Sequence, residues 1–129
     1  MTLKDTLYRI ETRYDGDGDT TFAVLLLRDC FIFRAHFPER PVMPGVCLVQ
    51  MAVELLEERF GEQLAIRRIK NVKFLSVISP DDSDRLLLRL SHITTDVTSG
   101  TVAARIDVTD ALEQKAKISL ELEKSRPER

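Results

Sequence analysis

Residues 46–60, VCLVQMAVELLEERF, run without a glycine or proline between Pro44-Gly45 and Gly61. Proline and glycine ahead of a first turn, and glycine just past a last one, mark helix boundaries, so a helix is predicted over Val46–Phe60. At about 100° per residue its apolar side chains, from Val46 and Leu48 through Met51, Val53 and Leu55 to Phe60, point in nearly every direction. Only a narrow strip carrying Gln50, Glu54, Glu57 and Glu58 is polar. A helix this apolar has to be wrapped by other elements rather than laid on a surface. The remainder of the chain must supply the wrapping.

Six strand-length runs are available: Thr6–Tyr14 and Thr20–Leu27 before the helix, then Leu64–Ser79, Arg85–Thr95, Thr101–Asp110 and Lys115–Glu123 after it. They are rich in β-branched and apolar residues, and polar or glycine-containing breaks separate them. The cluster DGDGD at Asp15–Asp19 suits a tight hairpin turn. It lacks the spacing and terminal glutamate of a calcium-binding EF-hand loop, so a solvated turn is expected and no metal. Between Arg28 and Met43 no period is sustained, and Pro38 and Pro41 forbid a regular helix or central strand there. The order β-β-α-β-β-β-β predicts an α+β architecture, an antiparallel six-stranded meander curled around one long central helix. A single domain over residues 1–124 and a frayed tail over 125–129 are expected.

With 129 residues and 43% hydrophobic content the chain has material for one packed core. A formal charge of −2 argues against a general nucleic-acid binder, because neutralising phosphates needs a net basic face. Cys30 and Cys47 show no CxxC spacing and have no histidine pair beside them, so neither a zinc site nor a disulfide framework is indicated. The N-terminal residues alternate polar and apolar without the continuous apolar core of a signal peptide. Apolar runs reach only about six residues, against the ~20 that span a bilayer. A cytoplasmic protein with no membrane span is expected.

One stretch narrows the reading. His36-Phe37-Pro38, followed by Pro41-Val42-Met43-Pro44-Gly45-Val46, closely resembles the HFPGxPVMPGV signature of bacterial 3-hydroxyacyl-acyl-carrier-protein dehydratases, the lyases of fatty-acid synthesis. Lys73-Phe74 with Pro80 and Asp82 resembles that family's KFxxPVxPGD stretch. The resemblance covers nearly the whole chain and implies the hotdog fold. Its departures are informative. Ala35 and Glu39 replace the two glycines of GHFPG, and Asp81 replaces the glycine of PGD; a β-carbon there restricts positive φ and alters the turns. The family's catalytic Glu or Asp lies fourteen residues after the histidine, where this chain has Gln50. Many members carry a glutamine four residues further on, where this chain has Glu54, so the pair is exchanged.

Dehydrating a 3-hydroxyacyl thioester means removing a weakly acidic α-proton, stabilising the enolate-like thioester oxygen and protonating a poor leaving hydroxide. The resemblance gives His36 the role of base, and an imidazole titrates near neutrality. A backbone N–H of Gly45 or Val46 at the helix start is a preorganised donor for the thioester oxygen, with the positive end of the helix dipole behind it. Pro44-Gly45 also serves simply to start the helix. Gln50 can hydrogen-bond the substrate hydroxyl, but an amide cannot replace a carboxylic acid in proton transfer. Three outcomes stand open: His36 shuttles the proton alone, Glu54 acts as acid about 6 Å further along the axis, or dehydration has been lost. Glu54 has the further reading of a residue that merely faces water with Glu57 and Glu58. Packing is the expected role of Cys47, and His92 is expected at a surface or interface.

The resemblance also implies partners. An acyl carrier protein is acidic and presents its substrate as an acyl-phosphopantetheine thioester, so a basic rim is useful. Arg34 and Arg40 flank His36, and Lys70 lies on the following strand among Arg67, Arg68 and Lys73; ordinary solvated charge is the other reading, and acyl-CoA the other carrier. No cofactor is implied. Dehydratases of this kind place the histidine of one subunit near the helix acid of the other, with an acyl tunnel along the interface, so a homodimer or higher homo-oligomer is expected. The leading expectation is a (3R)-hydroxyacyl-[acyl-carrier-protein] dehydratase-like protein of fatty-acid or related lipid synthesis. A hotdog acyl thioesterase and a noncatalytic acyl-binding or partner subunit stand beside it.

Overall fold

A computed structural model describes residues 2–35 and 39–125, so His36, Phe37 and Pro38 of the signature and residues 126–129 of the expected tail lie outside the described residues. The strands are β1 (Tyr8–Asp15), β2 (Thr20–Leu26), β3 (Leu64–Phe74), β4 (Arg85–Asp96), β5 (Thr101–Thr109) and β6 (Gln114–Lys124), with the helix α1 (Gly45–Phe60) between β2 and β3. A one-turn 3-10 helix, Phe31–Arg34, interrupts the loop before α1. All strand pairs are antiparallel, in the order β1-β2-β4-β5-β6-β3. This is the hotdog arrangement, a six-stranded sheet holding one helix.

The simple meander expected for the last four strands is corrected. Strands β4, β5 and β6 follow one another, but β3 pairs with β6 at the sheet edge and β4 pairs with β2. The reason lies in where β3 ends. It stops at Phe74 rather than Ser79, so residues 75–84 form a connection longer than the 2–5 residues of a hairpin loop. That length carries the chain back across the sheet to β2.

The core follows from strand alternation. Phe22, Leu88, Ile106 and Ile118 are inward-facing positions with no exposed surface, and they meet Met51, Leu55 and Leu56 of α1. Each such side chain contributes roughly 1.5–3 kcal/mol on burial. α1 ends as its sequence requires: Gly61 adopts φ 69°, which a glycine takes at little cost, and its N–H donates to Glu57 O at 2.7 Å.

Strand β3 departs from plain alternation in a way that matters for the site. Register shifts fall between Ile66 and Arg68 and between Ile69 and Asn71. These bulges absorb Arg67 and Lys70 as extra residues, so Ile66, Ile69, Val72 and Phe74 all face the helix side. The wrapping of α1 is incomplete there. Val46 is 77% exposed, and Ile69 and Phe74 remain exposed beside it.

Candidate functional site

The open side of the helix begins at its first turn. Pro44 caps α1 in an extended conformation, and its carbonyl accepts the N–H groups of Cys47 at 3.0 Å and Leu48 at 3.2 Å. The N–H groups of Gly45 and Val46 find no acceptor among the described residues. Helix geometry leaves the first N–H groups without intrahelical partners, and the dipole adds partial positive charge at the same place. Two donors therefore stand ready for an anionic or polarised oxygen.

Gly45 is small for a reason visible in space. A β-carbon built on it would stand 2.6 Å from Cζ of Phe74. Phe74 projects from the last position of β3 and parts two grooves. One, of ≈ 400 Å³, runs along α1 past Val46, Val49 and Gln50 and is walled by Ile66, Ile69 and Val72. The other, of ≈ 430 Å³, lies toward Val42, Met43 and the loop from Leu75 to Ile78. The first groove is almost wholly apolar apart from Gln50.

Beyond Gln50 the surface turns polar, with Lys4, Glu54, Glu57, Glu58 and Glu62 around an open cleft. Glu54 is not the water-facing residue that one reading of the helix strip expected. It is 8% exposed. Its Oε2 accepts the backbone N–H of Leu3 at 2.8 Å and the Gln50 side-chain amide at 3.0 Å, and its Oε1 accepts the N–H of Lys4 at 2.8 Å and the Tyr8 hydroxyl at 3.0 Å. The N-terminal segment thus folds over the helix strip and covers Glu54. Burial, and then the nearby Glu54 carboxylate, push the Tyr8 hydroxyl far above the ordinary phenol range.

The other sequence candidates fall in varied places. His36 lies outside the described residues. Arg34 ends the 3-10 helix, and Arg40 donates to Asp82 across the loop at 2.8 Å. Lys70 occupies a bulge of β3 and makes no ion pair with a described residue. Cys47 packs partly buried against the core, where burial, with Cys30 nearby, pushes its thiol up. His92 sits exposed at a bulge in β4 with φ 50°. No group of three or more His, Cys, Asp or Glu among the described residues is arranged to hold a metal.

Sequence reasoning missed two supports of the site. The Leu3–Tyr8 clamp on Glu54 is one; the close apolar spacing of Leu3, Leu7 and Tyr8 was its only trace. The other is Lys115, whose Nζ donates to Val77 O at 3.1 Å and Glu113 at 2.9 Å and pairs with Asp110 at 3.3 Å. Its own carbonyl accepts the N–H groups of Leu75 and Ser76. A lysine at the start of a strand gives no sequence signal that it fastens a loop 38 residues away.

Comparison with known proteins agrees with this geometry. A family model described as ApeI-like, ApeI dehydratase, matches residues 12–109. The 3-hydroxyacyl-[acyl-carrier-protein] dehydratase FabZ of Ligilactobacillus salivarius is 37% identical over 83 residues, 59% of this chain and 59% of that one. FabZ of Ruminiclostridium cellulolyticum is 32% identical over 95 residues, 68% of this chain and 67% of that one. The chain spans about three fifths of the length of the first two curated relatives it matches, 59% and 57%. Among solved structures, a chain of the dehydratase heterocomplex ApeI:P from Xenorhabdus doucetiae superposes with a TM-score of 0.65 at 21% identity, covering 86% of this chain and 93% of that one. The putative thioesterase yhdA from Lactococcus lactis gives 0.65 at 12% identity over 95% of both chains. Likeness at these identities shows the shared hotdog fold.

Proposed function

The chain belongs to the ApeI-like dehydratase family, and from that premise we propose that it eliminates water from (3R)-hydroxyacyl thioesters delivered on an acyl carrier protein. The observation that carries the reading is the apolar groove running from the unaccepted N–H groups of Gly45 and Val46 to Gln50. A thioester oxygen received by the two N–H groups places the acyl chain along Val49, Ile66 and Ile69. His36 then takes the α-proton, the electron pair forms the carbon–carbon double bond, and the bond from C3 to its hydroxyl oxygen breaks. The same imidazole returns its proton to the departing hydroxide, giving water and the enoyl thioester. The developing enolate oxygen is stabilised by donors already oriented for it.

The site is completed by a second copy in this reading. The outer edge of β3 has no strand neighbour among the described residues, and unpaired edges invite pairing. Val46, Ile69 and Phe74 stand exposed beside that edge. A homodimer joined there closes the groove into a tunnel and brings His36 of one subunit toward Gln50 of the other. A second reading is favoured by Gln50 itself: with an amide at the position of the family's acid, the chain serves as the noncatalytic half of a mixed dimer. The solved ApeI:P assembly is by its name a dehydratase heterocomplex.

The test is product analysis. Purified protein is mixed with N-acetylcysteamine thioesters of 3-hydroxyacyl chains and followed by mass spectrometry. Enoyl thioester is the expected product. Free thiol without enoyl product identifies a thioesterase, and no turnover with acyl chain retained in native mass spectrometry identifies the noncatalytic subunit.

A further inference from the structure

The connection from β3 to β4 is tied down from its first residue. The N–H groups of Leu75 and Ser76 donate to Lys115 O at 2.8 and 3.3 Å, the Ser76 hydroxyl donates to Glu113 Oε1 at 3.0 Å, and Lys115 Nζ donates to Val77 O at 3.1 Å. These bonds all run to the corner between β5 and β6. The next carbonyl, that of Ile78, takes its donor from elsewhere: it accepts the N–H of Met43 at 2.8 Å. Met43 stands two residues ahead of Gly45. The N–H of Val42 beside it donates to Phe33 O, in the 3-10 helix, at 2.9 Å. Val77 and Ile78 therefore bridge the rim of the sheet to the chain that enters α1.

Lys115 is fully committed to this corner. An ammonium carries three N–H donors, and three acceptors surround it: Val77 O, Glu113 Oε1 at 2.9 Å and Asp110 Oδ2 at 3.3 Å. Asp110 is held in turn, its Oδ1 accepting the N–H groups of Leu112 at 2.8 Å and Glu113 at 2.9 Å. A buried ion pair is often no more stabilising than apolar side chains of similar volume, so packing is a poor account of a lysine here. What an apolar residue cannot do is hold Val77 O. At the far end of the bridge Met43 and Ile78 are buried.

We propose that Lys115 is a positioning residue for the helix start: by fixing Val77 and, through Ile78 and Met43, the backbone ahead of Gly45, it sets where the N–H groups of Gly45 and Val46 stand. This rests on those groups being the thioester donors, as proposed above. Neither Lys115 nor any of its three acceptors lines the groove along Val49, Ile66 and Ile69. Loss of Lys115 thus leaves the seat of the acyl chain in place and displaces the donors at the reacting carbonyl. A misplacement of about 1 Å in such a group costs about 10²-fold in rate.

The test compares wild type with Lys115→Met made together with Asp110→Asn, which cuts the bridge without leaving Asp110 buried as an unpaired charge. Hydrogen exchange of the Met43 amide is expected to quicken by about tenfold relative to that of Ile106 in β5. With 3-hydroxyacyl pantetheine thioesters, kcat is expected to fall by about 10–10²-fold while KM stays within about twofold. Glu113→Gln, which keeps the bond to Val77 O, is expected to match wild type in both readouts. A merely structural Lys115 would quicken Met43 and Ile106 alike or leave kcat of the folded protein unchanged, and either result overturns the proposal. Should the double variant fail to fold, wild type decides by nuclear magnetic resonance. A coupling across the hydrogen bond from Lys115 Nζ to the Val77 carbonyl carbon, with a protected Met43 amide, supports the bridge; absence of either overturns it. Wild-type turnover with kcat unchanged in the variant overturns this inference alone, whereas no enoyl product from wild type overturns the dehydratase reading with it.

Discussion

The ring of Phe74 lies so close to the α-carbon of Gly45 that a β-carbon there would stand 2.6 Å from Cζ and 2.9 Å from Cε2. Gly45 is also the first residue of α1 and one of the two open donors, so close packing and the proposed chemistry meet at one residue. The ring is 56% exposed and can tilt away, whereas the N–H is fixed by the helix backbone.

Gly45→Ala separates these roles. Alanine gains about 1 kcal/mol of helix propensity over glycine, which offsets the displacement of an exposed ring. The melting temperature is expected to stay within roughly 4–8 °C of wild type. Turnover is expected to fall by about 10²-fold, because the new methyl group and the displaced ring crowd the place proposed for the thioester oxygen. Thermal melts and kcat/KM measured side by side check the split.

Tyr8→Phe removes one buried hydroxyl from Glu54 and leaves the other three donors in place. A hydrogen bond to a charged group is worth roughly 1.5–3 kcal/mol, and urea unfolding is expected to register a loss in that range. The same contact sets an alkaline limit. Because the folded hydroxyl is held well above its unfolded value, its contribution is complete below about pH 10 and is lost as pH rises from there, by about 1.4 kcal/mol per unit. Tyr8→Phe flattens that alkaline slope.

Asp110 and Lys115 set the acid side. Burial acts to raise the Asp110 carboxyl, but the N–H groups of Glu113 and Leu112 and the Lys115 ammonium outweigh it and hold it below the usual range. A depressed carboxyl contributes stability above its unfolded value, near pH 4, and loses it as pH falls through the folded value. Lys115 is pulled down by burial and pushed up more strongly by Glu113 and Asp110, so its own contribution is lost only in alkali. Little of either side chain is exposed, 8% for Lys115 and 4% for Asp110. Asp110→Asn is expected to cost about 2 kcal/mol, between the exposed and buried cases, and to flatten the acid limb of a pH-dependent melting series.

Much of this arrangement was legible in the sequence, and the gaps have physical causes. The helix was bounded by Pro44-Gly45 and Gly61 because those residues act locally, and β2, β5 and β6 alternate cleanly because one face of each is buried. β3 is a strand as expected but ends at Phe74 rather than Ser79, and its Ile66, Ile69 and Val72 recur every three residues. Only the two bulges place them on one face, and a bulge has no reliable sequence mark. The order of strands was misread because pairing partners are chosen across the sheet, where loop length is a weak guide. Glu54 was read as either solvated or catalytic since helical periodicity sees only its own helix. The residues that bury it, Leu3, Lys4 and Tyr8, arrive from some fifty positions away.

Among the basic residues proposed for the carrier, Lys70 is the one to change first. Arg40 is already engaged with Asp82, whereas Lys70 stands out on the β3 bulge without a described ion-pair partner. Lys70→Glu is expected to raise KM several-fold for acyl-carrier substrates and to leave pantetheine thioesters unaffected, with the difference shrinking as salt screens the charge. Equal effects on both substrates would assign Lys70 to solvation alone.

In the proposed reaction the imidazole of His36, at the start of the signature, moves the proton of the dehydration. Wild-type protein and His36→Ala are incubated with the same 3-hydroxyacyl thioester, and the rate of enoyl thioester formation is measured for each. Wild type is expected to form the enoyl product, and His36→Ala to be slower by about 10²–10⁴-fold. Enoyl product formed at equal rates by both proteins would contradict the account.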